Sequence, residues 1–420
     1  MAGAKVEMNA EPELPVTLAQ IEAAARGIQG KVVRTPLIEA PRFPGLPPTP
    51  IYLKLENLQW TGAFKLRGAT HRIAQLSPEE AKRGVVAASA GNHAQGVAWA
   101  ARARGVPATI VMAENASPLK VSLTRALGAR VILKGNDYDE AHDHSMRIAA
   151  EEHLTYVHAY DDPFIIAGQG TVGLEILDDL PDVRRIVVGV GGGGLFAGIC
   201  AAVRGRGSRA DLVGVQPAGA DNLRPSLAAG HVVLGGRPST FADGLATRQI
   251  GELPFRILKA AGARAFSVDD RTIARASFLL LEQAKILAEG AGATPLAGLL
   301  AHPELAEDGP IVLVVSGGNL DPFLLDRILF IGLAAEGRLL RLRAALRDVP
   351  GRLEEFLAVA AHEGANVRHI LHGRESPDRP PGEVTVEVEL EVRDAAHGNA
   401  VAEAYREHGW TVERVASAPN

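Results

Sequence analysis

Between about Thr17 and Gly318, short β-branched runs alternate with longer Ala-rich and Leu-rich stretches of helical period. That alternation predicts an α/β chain built on parallel sheet. Strands are expected over residues 108–112, 130–133, 155–158, 186–190, 212–216 and 311–315. Their apolar character is continuous, so burial on both faces is expected. Helices are expected over residues 94–104, 119–127, 138–152 and 271–288.

From Leu340 onward the pattern changes. Leu340, Leu342, Ala344 and Leu346 alternate with Arg341, Arg343, Ala345 and Arg347, the period of a half-exposed strand. After Pro350 and Gly351, the residues Leu353, Phe356, Leu357 and Ala360 form one apolar stripe on a helix. A strand over 366–372 follows, then an exposed Pro-rich loop over 374–382. Val384, Val386, Val388, Leu390 and Val392 alternate with polar residues and predict an amphipathic strand. A helix over 395–408 and a strand over 411–415 complete β-α-β-β-α-β, the ferredoxin-like order. The boundary between the two patterns is expected near Gly337.

A chain of 420 residues suits two or three compact domains. With 47% hydrophobic and 22% charged residues it reads as an ordinary folded protein rather than a disordered or fibrous one. The net charge of -5 is spread along the sequence without a basic stripe, so no nucleic-acid partner is expected. Cys200, the only cysteine, lies in an apolar run and reads as a small buried residue in a reducing compartment. Residues 1–16 carry Glu7, Glu11 and Glu13 and no apolar core of a secretory signal. No segment approaches the ~20 apolar residues that cross a bilayer. A cytoplasmic location without membrane contact is expected.

Four segments carry candidate chemistry. Lys65 follows Phe64 between Gly62 and Gly68; Ser89-Ala90-Gly91-Asn92-His93 comes next, then Gly189-Val190-Gly191-Gly192-Gly193-Gly194, then Ser316-Gly317-Gly318-Asn319 after an apolar strand. A lysine in an apolar pocket loses charged-form stability and becomes a free amine able to form an imine. Consecutive glycines after a strand let backbone N–H groups close around a phosphate at a helix N-terminus. Ser316 stands at the C-terminal end of a strand, where open α/β sheets bind ligands. Taken alone, the lysine is a surface residue and the serine a turn residue. Gly189, Gly191 and Gly194 also satisfy a dinucleotide fingerprint, but no acidic residue ends a second strand about 20 residues on.

Together these segments closely resemble the serine/threonine dehydratase family of fold-type II pyridoxal-phosphate enzymes, over roughly residues 17 to 335. Supporting matches are Thr35-Pro36-Leu37, Ala167-Gly168-Gln169-Gly170-Thr171, Gly214-Val215-Gln216-Pro217, Ala242-Asp243-Gly244 and Glu289-Gly290-Ala291-Gly292-Ala293. The resemblance implies a tryptophan synthase beta-like core of two parallel-sheet domains. In it, residues 1–53 and 154–337 form the larger domain and 54–153 the smaller, inserted one. It implies that Lys65 forms the internal aldimine with pyridoxal 5'-phosphate, that Phe64 lies against the ring and that Asn92 bonds the ring hydroxyl. Gly191, Gly192, Gly193 and Gly194 would hold the phosphate, and Ser316 would bond the pyridine nitrogen. Ser89, Gly91, Asn92 and His93 would receive the substrate carboxylate. The implied activity is dehydration and deamination of L-threonine to 2-oxobutanoate and ammonia, and of L-serine to pyruvate.

Residues 338–420 resemble an ACT domain through Asp348-Val349-Pro350-Gly351-Arg352-Leu353 and Glu363-Gly364-Ala365-Asn366-Val367. That implies a regulatory ligand, a branched-chain amino acid such as isoleucine or valine, near Asp348, Pro350, Gly351, Leu353 and Asn366. The family implies a homodimer or homotetramer. Ala90 occupies the loop position where serine racemases carry a second serine, and Gln216 and Asn222 stand where the racemase-like pattern has carboxylates, so no divalent metal is expected. Competing readings are a serine racemase or hydroxyaspartate dehydratase, a dinucleotide-dependent oxidoreductase, and a catalytically idle amino-acid sensor.

Overall fold

The computed structural model describes residues 14–374 and 380–415. The chain divides into two compact units, Met1–Asp321 and Pro322–Asn420. The division precedes Gly337 because the helix Pro322–Ala335, which the pattern did not predict, groups with the second unit. The predicted absence of a secretory signal falls almost wholly on residues 1–13, and part of the predicted loop on residues 375–379; both stretches lie outside the described residues.

The first unit is built on two sheets. One has six strands in the order Leu37–Glu39, Ile51–Leu55, Ile311–Val315, Arg185–Gly189, Asp211–Pro217 and Arg264–Val268. Only the first pair is antiparallel. The other has four parallel strands, ordered Arg130–Leu133, Ala108–Met112, Val85–Ala88 and Thr155–Tyr156. Ile186, Val188, Val312 and Val314 pack with Phe196 and Ile199 of the helix Gly194–Gly205 in the core of the larger sheet. Cys200 is fully buried there and its thiol pKa is pushed far up by desolvation.

Three expectations change. Arg130–Leu133 and Thr155–Tyr156 are not buried on both faces: they are the edges of the smaller sheet, where one side meets solvent. The latter strand stops at Tyr156 because the chain turns at His158, whose ring captures the next backbone N–H groups. The helix expected to run to 288 ends at Glu282; Lys285 takes a φ of 60°, Ile286 N–H closes on Leu280 O, and a new helix begins at Gly290.

Two glycines set how the lysine helix is seated. A Cβ at Gly68 would lie 2.9 Å from Ile165 O, and one at Gly168 would lie 2.6 Å from the Cα of Gly68. The helices Lys65–Ala74 and Pro163–Asp179 therefore cross backbone against backbone. This accounts for the Ala167-Gly168-Gln169-Gly170-Thr171 segment as packing rather than ligand contact.

The second unit is antiparallel, with strand order Asn366–Gly373, Glu383–Glu391, Leu339–Arg347 and Val412–Arg414. Helices Arg352–His362 and Ala395–Glu407 complete the β-α-β-β-α-β order. Leu342, Val386, Val388, Phe356, Val401 and Tyr405 share its core, so the alternating face of the sequence is the buried one.

Candidate active site

Lys65 opens its helix beside the C-terminal end of the central strand Ile311–Val315. Phe64 N–H donates to Ser316 O at 3.0 Å, and Ala63 bridges Gly317. The helix Asn92–Arg104 crosses at Gly96, where a Cβ would lie 3.2 Å from the backbone of Lys65. The Lys65 amine donates to Ala159 O at 2.7 Å and lies 5.1 Å from the centre of the Phe64 ring. Desolvation lowers its pKa to about 8, against a smaller opposing pull from Glu289.

Two of the helix N-termini in this region that lack a side-chain cap start after a glycine. Asn92–Arg104 begins after Gly91, and Gly91 N–H is taken by Ser89 Oγ at 3.1 Å. Gly194–Gly205 begins after Gly193, whose φ of 91° suits only glycine without strain. Thr17, Ser77, Asp137, Asp162 and Asp269 cap other helices of this unit with their side chains, while Phe64, Ser117, Asn222 and Glu289 do not. Uncapped N-termini leave backbone N–H groups and the positive end of the helix dipole for anions. Gly191, Gly192, Gly193 and Gly194 are all buried, and the ring of Tyr160 fills the space a Cβ on Gly192 would need.

Asn92 and Ser316 belong to the same region. Asn92 Nδ2 donates to Glu289 Oε1 at 2.7 Å, while its Oδ1 accepts from Asn319 Nδ2 at 2.8 Å. Ser316 is buried. The His93 ring points away, bonding Val157 O through Nε2 at 2.9 Å, so any part it takes in binding an anion falls to its backbone N–H. Asn319 and Glu289 stand inside sequence motifs that gave them no role, and Tyr160 stands outside those motifs. Burial pushes the Glu289 carboxyl up to about 7 despite the Asn92 hydrogen bond. Its only sequence signal was its place before Gly290-Ala291-Gly292.

These residues fit pyridoxal phosphate. A desolvated amine without a carboxylate hydrogen-bond partner suits an aldehyde, and a glycine loop at an uncapped helix N-terminus suits a phosphate.

His93 makes stability pH-dependent. Desolvation, with Lys65 adding to it, lowers its pKa from 6.5 to about 3 in the fold. As pH falls, the unfolded chain takes up this proton first. The contribution is therefore complete above about pH 6.5 and is lost between there and about pH 3, at up to ~1.4 kcal/mol per pH unit. Denaturation midpoints should decline below about pH 6.5, and His93→Gln should flatten that decline.

The polar cluster behind the glycine loop is closed by amides. Gln216 Nε2 donates to Val190 O and Asn222 Oδ1, both at 3.1 Å, and its Oε1 accepts from Asn222 N and Leu223 N at 3.1 and 2.6 Å. Asn222 Nδ2 donates to Thr247 O at 2.8 Å. The two amides satisfy one another, and neither offers the anionic oxygen that a hard cation prefers. Exhaustive chelation should leave activity and melting temperature unchanged; loss of both, with recovery on adding magnesium or calcium, would refute this.

In the second unit the candidate regulatory residues fall in two places. Asp348, Pro350, Gly351 and Leu353 follow the end of Leu339–Arg347 that pairs with Glu383. Asn366 pairs with Glu391 at the opposite end. There it lines a hollow of about 480 Å³ with Arg338, Gly364, Glu391, Val392 and Arg393. Asp348 pairs with Arg374 at 3.1 Å, and Leu353 packs on the core. One copy of the unit does not bring the two groups to one ligand.

Among the described residues no helix is long and apolar enough to cross a membrane. The model of the pyridoxal-phosphate dependent enzyme family matches residues 28–317. An L-threonine ammonia-lyase of Thermotoga maritima is 43% identical, covering 95% of this chain and 100% of its own. The crystal structure of a T.th. threonine deaminase superposes with a TM-score of 0.69 at 37% identity, covering 73% of this chain and 99% of its own. Maize serine racemase gives 0.71 at 32% identity, covering 76% and 98%. The family match spans both sheets of the first unit and includes Lys65 and the glycine loop, and the chain belongs to the pyridoxal-phosphate dependent enzyme family.

Proposed function

We propose that this enzyme dehydrates and deaminates L-threonine to 2-oxobutanoate and ammonia, and acts likewise on L-serine to give pyruvate. The observation that carries the reading is the desolvated Lys65 amine placed near two uncapped helix N-termini. The threonine preference rests on relatives that bear that name, one of them aligned across both units.

When bound, pyridoxal phosphate supplies a conjugated ring that withdraws the electron pair of the Cα–H bond. Lys65 would hold the cofactor aldehyde, and its desolvated amine, when free, would be the base that takes the Cα proton. The N–H groups of Gly191, Gly192, Gly193 and Gly194 would hold the phosphate, and Phe64 would lie against the ring. Asn92 would bond the ring hydroxyl, with Glu289 fixing its amide. Ser316 would bond the ring nitrogen; being neutral, it would not enforce a charged ring, which would favour prompt loss of the β-hydroxyl. The loop of Ser89, Gly91, Asn92 and His93 receives the substrate carboxylate at the helix N-terminus. Water leaves, the released enamine tautomerises and takes water up again, and ammonia departs.

Steady-state kinetics with L-threonine, L-serine and hydroxyaspartate test the reading. Threonine should give the highest kcat/KM, since one methyl group is worth about 1–3 kcal/mol in a pocket. A racemase needs a proton donor opposite Lys65, and Ala90, at the loop position where serine racemases carry a second serine, has no hydroxyl to donate. D-serine formed from L-serine as fast as pyruvate would overturn the dehydratase reading.

The second unit serves regulation, with a branched-chain amino acid as its ligand. Because Asp348 to Leu353 and Asn366 lie at opposite ends of the sheet, a site using both draws them from two copies in a dimer or tetramer. A chain stopped after Asp321 should keep threonine turnover and lose any response to isoleucine or valine. The lost effect should be roughly 5–150-fold in substrate affinity. A truncated enzyme that binds cofactor but is inactive would assign this unit a part in catalysis.

A further inference from the structure

Between the strand Thr155–Tyr156 and the helix Pro163–Asp179 the chain turns on one imidazole. His158 Nδ1 accepts from Tyr160 N at 3.2 Å and from Asp161 N at 2.8 Å. Backbone amides keep their protons at every working pH, so Nδ1 must present a lone pair. The neutral ring therefore carries its proton on Nε2, and an imidazolium, with protons on both nitrogens, has nothing to accept with.

The residues of this turn hold parts of the active site and of the helices around it. Val157 O bonds His93 Nε2, and Ala159 O takes the Lys65 amine at 2.7 Å. Tyr160 packs its ring over Gly192 and its backbone against Gly194. The Asp161 carboxylate accepts from Glu252 N and Leu253 N at 3.1 and 3.0 Å, opening the helix Glu252–Ala260. Asp162 caps Pro163–Asp179 and pairs with Arg72 of the lysine helix at 2.9 Å.

We propose that His158 is a positioning residue for Lys65: as a neutral imidazole it holds the Ala159 carbonyl and Tyr160 in place, and its protonation releases the turn and sets the acid limit of the working range. This rests on Lys65 being the cofactor lysine. The groups facing the ring are the Asp161 and Asp162 carboxylates, which favour its protonation, and His142 and Lys65, which oppose it. His93 lies within electrostatic reach, and the rings of Tyr156 and Tyr160 meet it edge-on at 6.0 and 4.7 Å. Burial outweighs the carboxylates and holds the ring's pKa below the ordinary histidine value. The turn is thus intact above that ordinary value and opens as pH falls through the lower one.

The test compares wild type with His158→Asn and His158→Phe. An asparagine oxygen accepts from the N–H groups two and three residues on, as in an Asx turn, and does not titrate in this range. Phenylalanine keeps a ring and loses the acceptor. Amide hydrogen exchange of Tyr160 and Asp161 in the apoprotein, corrected for intrinsic pH dependence, should lose about tenfold in protection across the wild-type histidine titration. It should stay flat and high in His158→Asn, and flat and low in His158→Phe. In the holoenzymes, the acid limb of the kcat profile should disappear or move in His158→Asn, and kcat should fall more than KM rises in His158→Phe. Protection that ignores pH in wild type, or an acid limb shared by wild type and His158→Asn, overturns the proposal. Should His158→Phe fail to fold, the wild type and His158→Asn comparison still decides. Borohydride trapping is run beside these assays: a label away from Lys65 defeats the cofactor assignment, whereas the amide data judge the turn independently.

Discussion

Lys65→Ala should lower kcat by about 10³-fold or more, because it removes both the cofactor anchor and the base for the Cα proton. Borohydride reduction followed by peptide mapping should place the cofactor on Lys65 in wild type and leave no such label in the variant. Near wild-type turnover, or a label elsewhere, would show the assignment wrong. The apoprotein provides a check that needs no catalysis. With its pKa lowered from 10.5 to about 8, the Lys65 amine is free in a range where ordinary exposed lysines remain charged. At pH 7.5 that is roughly two hundred times more free amine than an ordinary lysine offers. The rate of cofactor uptake by apoprotein should therefore rise with pH and level off a little above 8, well before ordinary lysines deprotonate.

What made Lys65 legible was adjacency along the chain: its partners Phe64 and Gly68 are near neighbours, and the glycine loop is a single run. The continuous apolar strand Ile311–Val315 is buried throughout, as its pattern requires. Arg130–Leu133 has a similar apolar pattern and is half exposed, because position at a sheet edge is a property of pairing order and not of the run itself. The same limit hid Glu289. Its importance comes from Asn92, far off in sequence, and from burial that only the folded chain supplies. His93 shows the converse: its motif places it in the loop, yet its side chain turns to Val157. The separation of Asp348 from Asn366 follows from antiparallel register, which the alternating strands implied but did not assign.

Arg67, two residues beyond the lysine, should be among the most costly residues to replace. It is fully buried and sits between two carboxylates. Its Nε and Nη2 donate to Glu56 at 2.8 Å each, and its Nη1 and Nη2 donate to Glu175 at 2.6 and 2.8 Å. Lys54, also fully buried, donates to Glu175 and to Thr35 O at 2.6 Å each. Two cations thus meet two carboxylates. Burial works against ionising Glu56, but the Arg67 charge and hydrogen bonds outweigh it and hold that carboxyl below its usual range. The cluster ties the lysine helix to the strand Ile51–Leu55, to Val33 and to the helix Pro163–Asp179. Replacing Arg67 with methionine leaves a buried excess of negative charge, and truncating one member of such a cluster costs about 3–5 kcal/mol. Denaturant titration of the Arg67→Met protein should show that loss, with cofactor occupancy falling because the helix bearing Lys65 has lost its brace. The double variant Glu56→Gln, Arg67→Met should recover part of it, since a neutral amide no longer demands a counter-charge. A single-variant cost below about 1 kcal/mol, or a double variant whose cost is the plain sum of its parts, would mean that the cluster is not electrostatically coupled.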